Sequence, residues 1–238
     1  MWFFGHKKLS VGPLMSGLTD AHSHILPGVD DGVRTLKESL SLLHRYEELG
    51  VRTVWLTPHI MEDIPNETAF LRARFEELRA AYDGPIALHL AAEHMLDALF
   101  EERLEHDDVL PHGEAGQELL VETSYFNPPM GMKDILKSIQ KKGYVPLLAH
   151  PERYRYMDED EYRRLRAMGV HFQLNLFALS GAYSPGACLR AQYLLQKGYY
   201  DSVGTDVHAW GSFERCVRDG RIEKKYFELV QSIITRQE

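Results

Sequence analysis

Asp134-Ile-Leu-Lys-Ser-Ile-Gln-Lys-Lys142, then Gly143-Tyr, then Val145-Pro-Leu-Leu-Ala149, is the stretch on which the fold turns: an amphipathic segment, a glycine and a short apolar run. A helix closed by a C′ glycine and followed at once by a strand has this grammar. It recurs along the chain. Thr35-Leu-Lys-Glu38 reads as a capping box, Leu36, Leu40 and Leu43 repeat at helical spacing, and Gly50 precedes the apolar run Val51 to Thr57. Glu159 to Met168, Gly169 and Val170 to Asn175 repeat the unit, as do Ala187 to Lys197, Gly198 and Tyr199 to Thr205. With the runs before His22, at Ile86 to Ala92 and at Glu118 to Glu122, about seven strands alternate with helices, the pattern of an α/β protein. Parallel strands require such crossovers. A doubly wound open sheet is one solution, but no GxGxxG turn is present, and Gly12-Pro-Leu-Met-Ser-Gly17 lacks the lysine of a P-loop. A closed or partly closed barrel is favoured.

The chain of 238 residues suits one such domain, with residues 1–17 as an N-terminal extension, because barrels of α/β units run to roughly 200–250 residues. Asn127-Pro-Pro-Met-Gly131 reads as a loop within it. Thirty-five acidic residues against 27 basic ones, a formal charge of −8, leave no basic stripe for nucleic acid. Cys188 and Cys216 are too few and too far apart for a disulfide framework or a metal knuckle and read as packing residues in a reducing compartment. No run approaches ~18 apolar residues, so no stable membrane insertion is expected. Met1-Trp-Phe-Phe4, followed by His6-Lys-Lys8, is too short for a signal peptide and reads as a frayed terminus. The expected location is the cytoplasm.

The residues that end or follow the strands carry the chemistry. They are His22 and His24, His59, Glu93, Glu122, His150, and Asp206 with His208; Asp31 follows the first strand closely enough to join them. Only the sixth strand, ending near Asn175, supplies neither imidazole nor carboxylate. In a barrel of parallel strands the C-terminal ends converge on one face, so these nine groups become neighbours. His44, His89, His94, His106, His112 and His171 read as structural, and His6 as a terminal residue. Imidazoles and carboxylates without thiolate suit Zn, Mn, Fe or Mg. Nine donors exceed the need of one ion. Four carboxylates cancel two divalent cations, whereas three cations leave a surplus of positive charge that attracts a phosphate dianion, so a trinuclear site is expected.

Asp20-Ala-His22-Ser-His24, Pro27-Gly-Val-Asp30-Asp31-Gly32, Thr57-Pro58-His59, Ala92-Glu93, Val121-Glu122, Ala149-His150-Pro151-Glu152-Arg153-Tyr154 and Gly204-Thr205-Asp206-Val-His208 together resemble the PHP (polymerase and histidinol phosphatase) superfamily. Within it they are most similar to the manganese-dependent bacterial tyrosine-protein phosphatases of capsule and exopolysaccharide synthesis, over roughly residues 18 to 235. The resemblance implies a distorted seven-stranded (β/α) barrel with three metal ions at its C-terminal mouth, held by His22, His24, Asp31, His59, Glu93, Glu122, His150, Asp206 and His208. It implies Arg153 as a phosphate ligand and, as substrate, the phosphorylated tail of a membrane-associated tyrosine autokinase. Relatives carry a second phosphate-binding arginine soon after the Asp-x-His pair; here Arg215 either takes that role or is a surface residue, and Trp210 either rims the substrate site or packs.

The chemistry expected of such a site is in-line attack by a hydroxide whose parent water is acidified by the ions from pKa 15.7 towards ~7. Phenol, with a pKa of about 10, leaves with less acid assistance than an alcohol, which favours phosphotyrosine; His208 and His59 are candidates for whatever proton the leaving oxygen needs. Rival readings are histidinol-phosphate phosphatase, an amidohydrolase-type barrel, which would want a bridging lysine, and a silent scaffold of the kind attached to polymerases. A thiol phosphatase needs Cys-x5-Arg, and Leu194 and Ile222 stand where the arginine would be. Alkylation of both thiols is therefore expected to leave phosphatase activity intact while chelation abolishes it; the reverse pattern rejects the reading.

Overall fold

The computed structural model describes residues 7–113 and 115–236; the readings made above for Met1 to His6 lie outside them. In chain order the strands are β1 (Lys8–Ser10), β2 (Thr19–Ser23), β3 (Thr53–Leu56), β4 (His59–Ile60), β5 (Ala87–Leu90), β6 (Glu93–Met95), β7 (Glu118–Glu122), β8 (Val145–Ala149), β9 (His171–Asn175), β10 (Ser202–Gly204) and β11 (Arg221–Glu223). The helices are α1 (Leu36–Leu49), α2 (Thr68–Ala81), α3 (Ala98–Glu105), α4 (Met132–Lys141), α5 (Glu159–Ala167), α6 (Pro185–Gln196), α7 (Trp210–Asp219) and α8 (Lys224–Arg236).

The result is an α/β fold with a curled parallel sheet. One ladder runs β10-β9-β8-β7-β6-β4 and a second runs β2-β3-β5, every pairing parallel. The two ladders share a course. Leu56 pairs with Leu90 and His59 with Glu93 at the same offset, so β3 and β4 are one strand interrupted at Thr57-Pro58, where proline offers no ladder N–H, and β5 and β6 are its interrupted partner. At the other end, β2 meets the segment after β10 through the bridge Ser23–Val207, with Asp206 N–H donating to His22 O (2.8 Å) and His24 N–H to Val207 O (2.9 Å). The apolar runs face helices on the outside of the sheet and join them in one continuous buried cluster; Leu120, Leu147 and Ala149 form a separate small cluster.

Local signals account for the helix ends. Thr35 and Glu38 form the capping box reciprocally, and Gly50 closes α1 at φ 82°, a left-handed conformation natural to glycine. The N-terminal pair and the last two helices were not legible in the alternation: β1 lies antiparallel to β11, which ties the segment before residue 17 to the C-terminal quarter. Val11, Leu14 and Met15 are buried there.

His94 on β6 shows how firmly the sheet commits its polar groups. It is fully buried, its Nδ1 donates to Leu120 O (3.2 Å), and its Nε2 accepts Leu110 N–H (3.5 Å), so the neutral ring is satisfied on both sides. Burial pushes its pKa down to about 4. The unfolded chain takes up a proton near pH 6.5 that the folded chain refuses until about pH 4, so stability falls as pH drops through that window. A His94→Met variant should show a shallower loss of denaturant midpoint between pH 6.5 and 4; an unchanged slope would mean that His94 does not contribute.

Candidate functional site

The strand ends bring the nine groups together. His22 is the penultimate residue of β2, His24 follows it, His59 opens β4, Glu93 opens β6, Glu122 closes β7, His150 follows β8, and Asp206 and His208 follow β10. Glu93 Oε2 lies 3.1 Å from His22 Nε2, 3.3 Å from His24 Nε2 and 3.2 Å from His59 Nδ1. Asp206 Oδ1 lies 3.5 Å from both His22 Nε2 and His24 Nε2 and 3.4 Å from His208 Nδ1. Glu122 Oε1 reaches His59 Nδ1 (3.1 Å), His150 Nε2 reaches Glu93 Oε1 (2.9 Å), and Asp31 Oδ1 stands 3.5 Å from His59 Nε2 and 3.4 Å from His208 Nε2. Three overlapping groups have donor atoms spaced for a cation: His22, His24 and Glu93; His59, Glu93 and Glu122; and His24, Asp31, His59 and His208.

Whether this set fits a cation is answered by the ring tautomers. His22 Nδ1 faces Gln173 Oε1 (2.9 Å) and His24 Nδ1 faces Asp30 Oδ2 (2.8 Å), both acceptors, so each Nδ1 carries the hydrogen. In the neutral rings the two Nε2 atoms are then lone pairs, and they face each other at 3.0 Å with Glu93 Oε2 beside them. Only positive charge between them relieves that arrangement. Glu93 Oε2 and His59 Nδ1 are moreover buried without a hydrogen bond to any described residue. The demand appears again in the proton equilibria. Burial works to lower the pKa of His22 and of His59, yet Glu93 with Asp206 raises the first to about 9, and Glu93 with Glu122 raises the second to about 10. Glu93, despite burial, is held well below the carboxylate range by His22 and His59, whereas burial beside Glu93 pushes Glu122 up. A carboxylate behind a metal-binding imidazole is the usual way of fixing its tautomer. The residues fit divalent cations.

The backbone is bent to present them. His150 (φ 33°) and Asp206 (φ 53°) adopt left-handed conformations that L-residues avoid, a cost borne where side chains must be aimed. Gly204 lets β10 approach β2: a Cβ there would stand 2.5 Å from His22 Cβ.

Residues outside the nine complete the cluster. Asp30 holds His24 Nδ1 and also accepts His59 N–H (3.1 Å); Asp20 accepts His22 N–H, Tyr46 Oη–H and two donors from Thr205. The adjacent pair Asp30-Asp31 was the available hint to the first. Gln173 and Asn175, alternating on β9, show what the sixth strand brings instead of ligand atoms: Gln173 fixes His22, and Asn175 Nδ2 donates to Asp206 Oδ2 (2.9 Å). Among the described residues the other histidines stand elsewhere; His112, for example, bonds Ala21 O and pairs with Glu118.

A cleft of about 720 Å³ opens over the cluster, with Asp31, His59, Glu93, His150, Asp206 and His208 in its floor. Arg153 Nη1 donates to Asp206 Oδ2 (2.7 Å), and the guanidinium lies against the rings of Tyr125 (4.3 Å) and Tyr183 (4.6 Å). Arg215 stands exposed on α7 along the same cleft, while Trp210 begins that helix as an exposed residue.

The sequence profile of the family described as "Capsular polysaccharide synthesis, CpsB/CapC" matches residues 18–237. The chain belongs to this family. Among CpsB/CapC relatives, the tyrosine-protein phosphatase CpsB of Streptococcus pneumoniae is 32% identical over 207 residues, covering 80% of this chain and 83% of the relative. The tyrosine-protein phosphatase YwqE of Bacillus subtilis is 26% identical over 197 residues, covering 80% and 77%. A solved chain from the crystal structures of YwqE from B. subtilis and CpsB from S. pneumoniae, described as unique metal-dependent tyrosine phosphatases, superimposes with a TM-score of 0.78 at 22% identity, covering 92% of each chain. That likeness establishes the shared fold.

Because Asp30 sets the tautomer of His24 and also orders His59, Asp30→Asn should weaken divalent-cation affinity by about 10–100-fold, read by titration against a competing chelator; unchanged affinity would remove Asp30 from the support of the cluster.

Proposed function

We propose that the chain is a metal-dependent protein-tyrosine phosphatase, a phosphoric monoester hydrolase acting on phosphotyrosine in proteins. The observation that carries this reading is the split engagement of Asp206: Oδ1 faces the imidazoles of His22, His24 and His208, and Oδ2 takes the Arg153 guanidinium at 2.7 Å. A cation cage and an anion-binding fork thus share one carboxylate on the floor of the cleft. The names of the CpsB and YwqE relatives support the same assignment.

In this reading His22, His24, Asp31, His59, Glu93, Glu122, His150, Asp206 and His208 hold three divalent ions, of which manganese is the family's expected choice. The three overlapping donor groups support that count. When bound, the cations supply Lewis-acid charge for the phosphoryl oxygens and a water acid enough to react near neutral pH. Everything else falls to the chain. Arg153, whose planar fork matches phosphate, binds the non-bridging oxygens with the N–H groups that Asp206 leaves free. Tyr125, Tyr183 and Phe177 give the cleft an aromatic wall for a phenyl ring. His208 Nδ1 is held by Asp206 O (3.0 Å), which leaves its Nε2 as the atom offered to a cation beside Asp31 and His59. Arg215 is the candidate for a second oxygen contact.

The interrupted ladders and the Ser23–Val207 bridge support a distorted (β/α)7 barrel, and residues 1–238 are assigned to a single domain of that type. The substrate proposed is the phosphorylated tail of a tyrosine autokinase of capsule or exopolysaccharide synthesis, met in the cytoplasm. Among the described residues no helix is long and apolar enough to cross a membrane.

Manganese-loaded chain should hydrolyse a phosphotyrosyl peptide far faster than histidinol phosphate, and Arg153→Ala should lower kcat/KM on the peptide by about 10²–10³-fold. Preference for histidinol phosphate would transfer the assignment to a small-molecule phosphatase, and a kinetically silent Arg153→Ala would remove that arginine from the site.

A further inference from the structure

Asn175 closes β9, whose end brings neither imidazole nor carboxylate to the cluster, yet every polar atom of its side chain is engaged. Nδ2 donates to Asp206 Oδ2 (2.9 Å) and to Tyr183 Oη (2.8 Å), and Oδ1 accepts Phe177 N–H (3.3 Å). Its backbone N–H is fixed as well, on Glu152 Oε1 (2.9 Å). Tyr183 in turn lies against the Arg153 guanidinium, which Tyr125 flanks too, and Arg153 donates to the same Asp206 oxygen that Asn175 does. The contacts close on themselves: Asp206 to Asn175, Asn175 to Tyr183, Tyr183 to Arg153, and Arg153 back to Asp206.

We propose that Tyr183, anchored by Asn175, is a positioning residue for phosphate capture: it holds Arg153 in its binding geometry before substrate arrives. The proposal rests on the reading of the cleft as a phosphomonoester site. An arginine side chain is long and rotamer-rich, and a guanidinium free to swing must be ordered at the moment of binding. Here the ordering is done in advance. The ring contacts favour the cation over its face, and the Asn175 hydrogen bond prevents the ring from turning away. Tyr183 is 38% exposed, so its ring is not part of the packed interior and its size is not explained by core filling. An asparagine suits the hub for a chemical reason. It offers two donors, one for each of two oxygens, where an aspartate would set a second negative charge against Asp206.

The test is a double-mutant cycle on the full chain loaded with manganese, using Tyr183→Leu, Arg153→Ala and their combination, with Tyr183→Phe as the conservative control. Three quantities are read: KM and kcat on a phosphotyrosyl peptide, the dissociation constant of inorganic phosphate by calorimetry, and bound metal. Tyr183→Leu should raise both KM and the phosphate dissociation constant about tenfold with metal content unchanged. Tyr183→Phe, which keeps the ring and loses its anchor, should fall between wild type and Tyr183→Leu in both constants, and a wild-type phosphate affinity would remove the anchor from the proposal. In the Arg153→Ala background Tyr183→Leu should change phosphate affinity no further, because the residue acts on phosphate through the arginine. Full additivity, or a phosphate affinity untouched by Tyr183→Leu, overturns the proposal. If the cycle is non-additive in phosphate affinity but the wild-type chain fails to hydrolyse phosphotyrosine, the positioning role stands and the substrate reading falls. Should Tyr183→Leu fail to fold, Tyr183→Met, which also removes the ring, carries the same expectation.

Discussion

Two imidazole nitrogens facing each other at 3.0 Å across a buried carboxylate oxygen set the terms for the rest of the molecule. His22 and His24 are each committed at Nδ1 to an acceptor, so neither is free to turn its N–H inward without abandoning Gln173 or Asp30. Acidic groups gathered round such a point would repel one another in a low-dielectric interior unless positive charge were supplied. Protons can supply it, as the raised values of His22 and His59 indicate, and so can divalent ions. The geometry favours the latter, because one proton cannot serve several acceptors spread over three overlapping groups.

Much of this was legible in the chain itself. The helix–glycine–strand alternation identified the parallel sheet because each unit carries its own punctuation, as with Thr35, Glu38 and Gly50 around α1. The nine strand-end residues emerged because parallel topology sends every C-terminal end to one face. What stayed hidden depends on orientation. Nothing in Gln173 or Asn175 as letters says that their carboxamides turn inward on β9, and nothing local in Tyr125 or Tyr183, 58 positions apart and on different loops, says that both rings meet one guanidinium. Split strands were equally obscure. Thr57-Pro58 interrupts hydrogen bonding without ending the course of the strand, so the run read as Val51 to Thr57 continues unseen into β4. The antiparallel pair β1–β11 escaped notice because three-residue strands carry too little alternation to register.

The cluster and the cleft above it divide labour along the two oxygens of Asp206. One side is electrostatic and rigid, built from buried groups whose backbone is strained into place at His150 and at Asp206 itself. The other is aromatic and partly open, where Arg153 sits between rings. Strain belongs with the first and access with the second. Joining them through a single carboxylate means that a disturbance on either side is felt by the other, which makes separate measurement of metal content and phosphate affinity necessary in any mutational study of this site.

The seam at Ser23–Val207 has a consequence for the order of events in biosynthesis. His22 and His24 leave the ribosome long before Asp206 and His208, and Asp20 finds Thr205 only across 185 positions of sequence. Closing so long a span is entropically slow. A nascent chain halted just before Asp206 lacks Asp206 and His208 of the nine groups and the Arg153–Asp206 partnership, so the cage is completed in a late step.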